Sequence, residues 1–184
     1  MSITINPNGT LNLGTNGKIQ ATNIDLSGSW SNAPSGTVIT VARGTLGSTF
    51  STSSDSNVYT GLATSALVRK MPGGTGAGKS SIHIYCMGGN RDANNDQKQD
   101  VTILYRSIGG ASDSEIAYMD ANHYGGFWGP HAGYHVDTST MNAGSSLVYK
   151  MYQRSRGGGS TVYFHNVTGG VSGNCHLIAQ EIVN

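Results

Sequence analysis

The chain has 184 residues, a formal net charge of +1 and only 11% charged residues, against about a quarter in an average soluble domain. It carries 27 glycines, and Ser, Thr and Asn fill most other polar positions, a neutral surface chemistry closer to secreted or virion β proteins than to cytosolic enzymes. This balance gives no field to draw nucleic acid or an acidic membrane, no apolar run is long enough for a bilayer span, and the start "MSITINPNGT" lacks the basic residues and apolar run of a signal peptide.

The first 26 residues fall into blocks of eight from residue 3, "ITINPNGT", "LNLGTNGK" and "IQATNIDL". Each opens with alternating apolar residues (Ile3 and Ile5, Leu11 and Leu13, Ile19 and Ala21), and the third closes with Ile24 and Leu26. Asn8-Gly9 and Asn16-Gly17 supply two-residue turn signals at the same offset. Strands this short cannot bury their apolar faces alone. Residues 1–35 are therefore expected to form a docking or trimerisation arm, with Ile3, Ile5, Leu11, Leu13, Ile19, Ile24 and Leu26 as its contact residues and "SGSWSNAPSG" as the linker.

Residues 36–184 predict a second unit made of strands. "GTVITVAR", "SSIHIYCM", "DVTILYRS", "SLVYKMYQRS", "STVYFHNV" and "NCHLIAQEIV" are rich in β-branched and aromatic residues at period two. Gly, Asn, Asp and Ser clusters separate them, and no long window keeps a helical apolar spacing free of glycine. The expected fold is an all-β, antiparallel, jelly-roll-like β-sandwich.

Several stretches carry chemical signals. Gly73 to Ser80, "GGTGAGKS", matches the phosphate-cradling pattern G-x-x-x-x-G-K-[ST]. That motif works because a helix starts at its Lys-Ser/Thr and turns its positive end on phosphate. Here Lys79 is followed by "SSIHIYCM", a strand pattern, so the glycines predict a hairpin or loop between "SALVRKM" and "SIHIYCM". Cys86 and Cys175 are too far apart in sequence for a zinc knuckle or redox motif and read as two buried thiols, with a disulfide as the alternative. Asp92, Asn94 and Asp96 begin like a calcium loop, but Gln97 stands at the turn-glycine place and Ile103 at the closing carboxylate, which favours a solvated loop, with a weak calcium site as the alternative.

"NHYGGFWGPHAGYH", residues 122–135, is the most distinctive segment. Its glycines predict a loop, and Tyr124, Phe127, Trp128, His131 and Tyr134 form a candidate host-binding surface, with a core plug at the sandwich end as the alternative. Pro130 and Gly133 argue against a helix that would bring His131 and His135 together. On a strand the two lie roughly 13 Å apart at about 3.3 Å per residue, too far for one chain to chelate a metal with both. A ring of histidines from several chains stays open as an alternative. No nucleophile elbow or glycosidase-type carboxylate pair stands out, so no catalytic residue, metal or cofactor is expected.

From Gly36 onward the chain resembles the small β-sandwich knob at the C-termini of tail-fibre and related virion proteins of tailed bacteriophages, particularly aquatic ones. The runs that carry the resemblance are "GTVITV" (36–41), "VYTGL" (58–62), "GKSSIHIY" (78–85), "DVTILYRS" (100–107), "SSLVYKMYQRS" (145–155), "GSTVYFHN" (159–166) and "HLIAQEIV" (176–183). In that family a lysine followed by Ser or Thr and an apolar strand recurs at the place of Lys79. The resemblance implies a non-enzymatic, trimeric knob on a virion surface, without catalytic residues to carry over. Its partners would be the major capsid protein or a tail protein, with a host-surface glycan or protein as target if the knob is a fibre tip. The chain departs from the family at residues 122–135 and in its short N-terminal arm, which would span at most about 115 Å at roughly 3.3 Å per residue. The arm favours a capsid decoration protein; the aromatic segment favours a receptor-binding tip.

Overall fold

A computed structural model describes residues 34–93, 99–124, 129–156, 161–165 and 174–184. They form eleven strands and no helix: β1 (Val38–Leu46), β2 (Phe50–Thr52), β3 (Val58–Ala63), β4 (Leu67–Val68), β5 (Ser80–Ala93), β6 (Gln99–Ile108), β7 (Ser114–Tyr124), β8 (Gly129–Asp137), β9 (Ser146–Arg156), β10 (Val162–His165) and β11 (Cys175–Val183). Two antiparallel sheets pack face to face, which is the all-β sandwich expected from the sequence. The first runs β1-β11-β5-β10-β2, with β8 on the other edge of β5; the second runs β3-β9-β6-β7, with β4 also on β9.

The period-two pattern explains the layering. In β9 the alternate residues Leu147, Tyr149, Met151, Gln153 and Ser155 are buried while the intervening ones are partly open. β11 does the same with Cys175, Leu177, Ala179, Glu181 and Val183. Opposed residues of an antiparallel pair share a face, so the inner rows of both sheets meet in one core. Leu62, Leu104, Met119, Leu147, Tyr149 and Met151 of the second sheet pack with Ala42, Ile82, Ile84, Leu177 and Ala179 of the first. Gly44 sits where β1 passes the backbone of Ala63, close enough that a Cβ would collide with the Ala63 carbonyl.

Two sequence expectations need correction. Of the two forms expected between "SALVRKM" and "SIHIYCM", the loop is found and the hairpin is not: only Leu67–Val68 of the first run is strand, and it pairs with β9 in the second sheet, whereas β5 belongs to the first. The glycine stretch is instead a crossing between sheets. The segment 122–135 is not mainly a loop either, since it contains the end of β7 and most of β8. The first pairs with β6 and the second with β5, so this segment also changes sheet.

Candidate functional site

The phosphate-binding match is resolved by what surrounds Ser80. β5 begins at this residue, so a strand follows Lys79 where a nucleotide site would need a helix N-terminus. The Ser80 hydroxyl donates to Glu181 Oε1 at 2.6 Å and accepts from Arg69 Nη2 at 2.7 Å. Arg69 also donates to the carbonyls of Ser80 (2.6 Å) and Met71 (3.2 Å), and its Nε lies 3.7 Å from Glu181 Oε1. The backbone N–H groups of Lys70 and Met71 complete the carboxylate's shell at 2.8 and 3.1 Å. Arg69 and Glu181 have fully buried side chains. The motif's serine is thus a member of a buried structural network, in which Arg69 Nη1 makes no hydrogen bond.

A second buried cluster stands beside it. Arg106 Nη1 and the Tyr149 hydroxyl both donate to Asp137 Oδ2, at 2.6 and 2.9 Å, and the Ser139 N–H donates to Oδ1 at 3.0 Å. Burial pushes the Asp137 carboxyl up, but the hydrogen bonds from Ser139 and Arg106 outweigh it and hold the group below the usual carboxylate range. The same neighbourhood raises the Tyr149 phenol, through burial first and Asp137 second. Gly73 is wedged between the two clusters: a Cβ there would overlap the Ser139 carbonyl and come within 2.8 Å of Arg69 Nη1.

Cys86 and Cys175 are buried free thiols with their sulfurs 3.8 Å apart. Their mutual hydrogen bond, followed by burial, pushes the Cys86 thiol well up, which leaves it a poor nucleophile.

Of the aromatic candidates, Tyr134 is the one whose side chain the structure describes. It projects from β8, opposite Tyr85 of β5, and is 54% exposed. Its ring lies 5.0 Å from that of Tyr85 and 5.9 Å from that of His83, and its hydroxyl pairs with His83 Nδ1 at 2.7 Å. Burial lowers the His83 pKa and favours the neutral ring. A shallow cavity of about 350 Å³ opens beside them, lined by Tyr85, Cys86, Met87, Ala132, Gly133 and Tyr134. The backbone places Tyr124 at the end of β7 and His131 on β8 opposite Gly88, with His135 four residues along the same strand. Phe127 and Trp128, Asn94 and Asp96 of the calcium-like stretch, and the arm residues Ile3, Ile5, Leu11, Leu13, Ile19, Ile24 and Leu26 lie outside the described residues. Among the described residues no group of three or more His, Cys, Asp and Glu side chains could hold a metal ion.

The outer face of the second sheet carries a feature that the sequence reading missed. Cross-strand register sets Tyr59 of β3, Tyr152 of β9, Ile103 of β6 and Tyr118 of β7 in one row. Lys150, Tyr105 and Glu115 form the adjacent row. The Tyr105 and Tyr152 rings lie 4.1 Å apart and those of Tyr59 and Tyr152 5.5 Å apart, with Lys150 Nζ 5.9 Å from the Tyr59 centroid. Asp113 accepts from Lys150 at 2.8 and 3.0 Å and from the Tyr152 hydroxyl at 2.6 Å. These bonds, Lys150 first, hold the Asp113 carboxyl below its ordinary range, while burial and then Asp113 push the Tyr152 phenol up to about 12. Asn57 Nδ2 donates to the Tyr105 hydroxyl at 2.6 Å, and that hydroxyl donates to Glu115 Oε2 at 3.3 Å. Alternation in "SLVYKMYQRS" carried half of this signal, since it puts Lys150 and Tyr152 on the face opposite Tyr149 and Met151. The register with β3, β6 and β7 supplies the rest.

No protein-family model and no curated protein sequence matches the chain.

Proposed function

We propose that the chain is a non-enzymatic structural protein of a bacteriophage particle. It is displayed on the exterior as a homotrimer and acts as a capsid decoration protein, held to the major capsid protein by residues 1–35. Its jelly-roll-like knob faces solvent. The observation that carries this reading is the placement of the seven sequence runs that resemble phage knob domains. Each overlaps a strand of the sandwich: β1, β3, β5, β6, β9, β10 and β11 in turn.

The test is attachment. Deleting residues 2–30 should abolish binding to undecorated capsids of the encoding phage, while circular dichroism shows the sandwich still folded. Attachment at the level of the full chain would overturn the decoration reading.

The exposed Tyr134 with Tyr85 and His83 supports a second reading, a tail-fibre tip that binds a host-surface glycan or protein through residues 122–135. Free protein would then compete with phage for host cells, and Trp128→Ala and Tyr134→Ala would weaken the competition. Unchanged infection at saturating protein counts against it.

A further inference from the structure

The geometry points to a binding site for a neutral oligosaccharide on the outer face of the second sheet, built by Tyr59, Tyr105, Tyr118 and Tyr152 with Asp113 and Glu115 at its rim. The tyrosine row crosses four strands, and three inter-strand spacings of about 4.8 Å give a platform roughly 14 Å long. That length suits a short chain of sugar rings better than a single ring. Aromatic faces carry negative charge density and attract the weakly positive C–H faces of pyranoses. Sugar hydroxyls need acceptors at the edge of such a platform, and carboxylates are the strongest available.

Both requirements are met by groups already held in place. The Tyr152 and Tyr105 hydroxyls are tied to Asp113 and Glu115, so their rings are set before a ligand arrives and little rotamer freedom remains to be lost on binding. Glu115 Oε1 accepts no hydrogen bond from the described residues and is open to an incoming hydroxyl. Tyr59 and Tyr118 are 41% and 54% exposed, while Ile103, which stands between Tyr152 and Tyr118 in the same row, is fully buried, so the exposed apolar surface of this row is aromatic rather than aliphatic.

The charge pattern selects among ligands. Asp113 and Glu115 balance Lys150 and Arg154, the next outward residue of β9, which leaves no net charge to attract phosphate, sialic acid or nucleic acid. A protein partner is disfavoured for a different reason. Interface centres are depleted of charged residues, whereas Lys150 and Glu115 stand in the row directly beside the tyrosines.

This inference goes beyond the proposed place on a particle. Arm-dependent attachment and saccharide binding are read by separate assays, and either can fail alone. The full-length chain is applied to a printed array of neutral, sialylated and phosphorylated oligosaccharides. The neutral oligosaccharide with the strongest signal is then titrated calorimetrically against the wild type and variants whose thermal melts match it. Tyr59→Ala and Tyr152→Ala should each weaken binding about tenfold. Glu115→Gln should weaken it roughly fivefold, and Val41→Ser on the other sheet should leave it unchanged. Absence of any neutral hit, a preference for the sialylated or phosphorylated probes, or wild-type affinity in both tyrosine variants would overturn the assignment. So would dissociation of the oligomer by Tyr59→Ala in sedimentation, which would give this face to contact between copies.

Discussion

The buried end of the sandwich and the tyrosine platform are made from the same materials, namely carboxylates, a cation and phenol hydroxyls joined by hydrogen bonds. What separates them is solvent. Around Arg69, Ser80 and Glu181 every carboxylate oxygen meets a donor from the chain, and the group is sealed. On the platform Glu115 keeps an oxygen open and two tyrosines keep a large part of their rings in water. Enclosure turns such a network into a device that fixes one arrangement of loops, while exposure turns it into one that can accept a partner.

The comparison breaks most readily at Glu181. Glu181→Ala leaves the buried Arg69 charge without its counter-ion and takes the acceptor from the Lys70 and Met71 N–H groups and the Ser80 hydroxyl, and should cost about 3–5 kcal/mol in urea denaturation. The double variant Arg69→Met with Glu181→Leu should recover much of that, because replacing a whole buried pair is far cheaper than halving it. Tyr149→Phe removes a hydrogen bond to a charged acceptor and should cost about 2 kcal/mol; a change close to zero would mean that the Asp137 cluster is not sealed.

Acid should act on the same end. The folded-state pKa of Asp137 lies below its ordinary value of 3.8, so the folded state binds fewer protons than the unfolded one. Its contribution is complete above that value and is lost as pH falls through the depressed folded value. Urea midpoints measured downward from neutrality should drop in that window, and Asp137→Asn should flatten the slope.

The platform should respond far less. Lys150→Ala breaks a pair whose side chains are 27% and 19% exposed, and should change stability by less than about 1 kcal/mol. Glu115→Gln should stay within about 0.5 kcal/mol. Losses there as large as those at Glu181 would show that the platform serves the fold rather than a ligand.

The sandwich was legible because period-two alternation reports which face of a strand is buried, and "SLVYKMYQRS" and "CHLIAQEIV" keep that period without a break. The phosphate-loop match could be dismissed from "SSIHIYCM" alone for the same reason. The partnership of Arg69 with Glu181 was not read, although alternation places Glu181 on the face of Leu177 and Ala179, where a carboxylate demands a buried partner. Identifying that partner required the crossing of the glycine stretch between sheets, and nonlocal crossings leave no periodic trace. The tyrosine platform was hidden likewise. Tyr59, Tyr105, Tyr118 and Tyr152 sit on four strands and become neighbours only through register. The glycine-rich aromatic segment drew the functional reading instead because its residues are close in sequence.

The pairing of β1 with β11 has a consequence for biosynthesis. β11 lies between β1 and β5 in the first sheet and follows every other described strand in chain order. While it is still inside the ribosome, both neighbours have already emerged, each with one ladder edge and much of its apolar face uncovered. Closure of this sheet therefore waits until β11 has emerged and then requires a loop spanning almost the whole sandwich, a slow step by its topology. During that interval the nascent chain is most open to aggregation or to pairing with a sister chain.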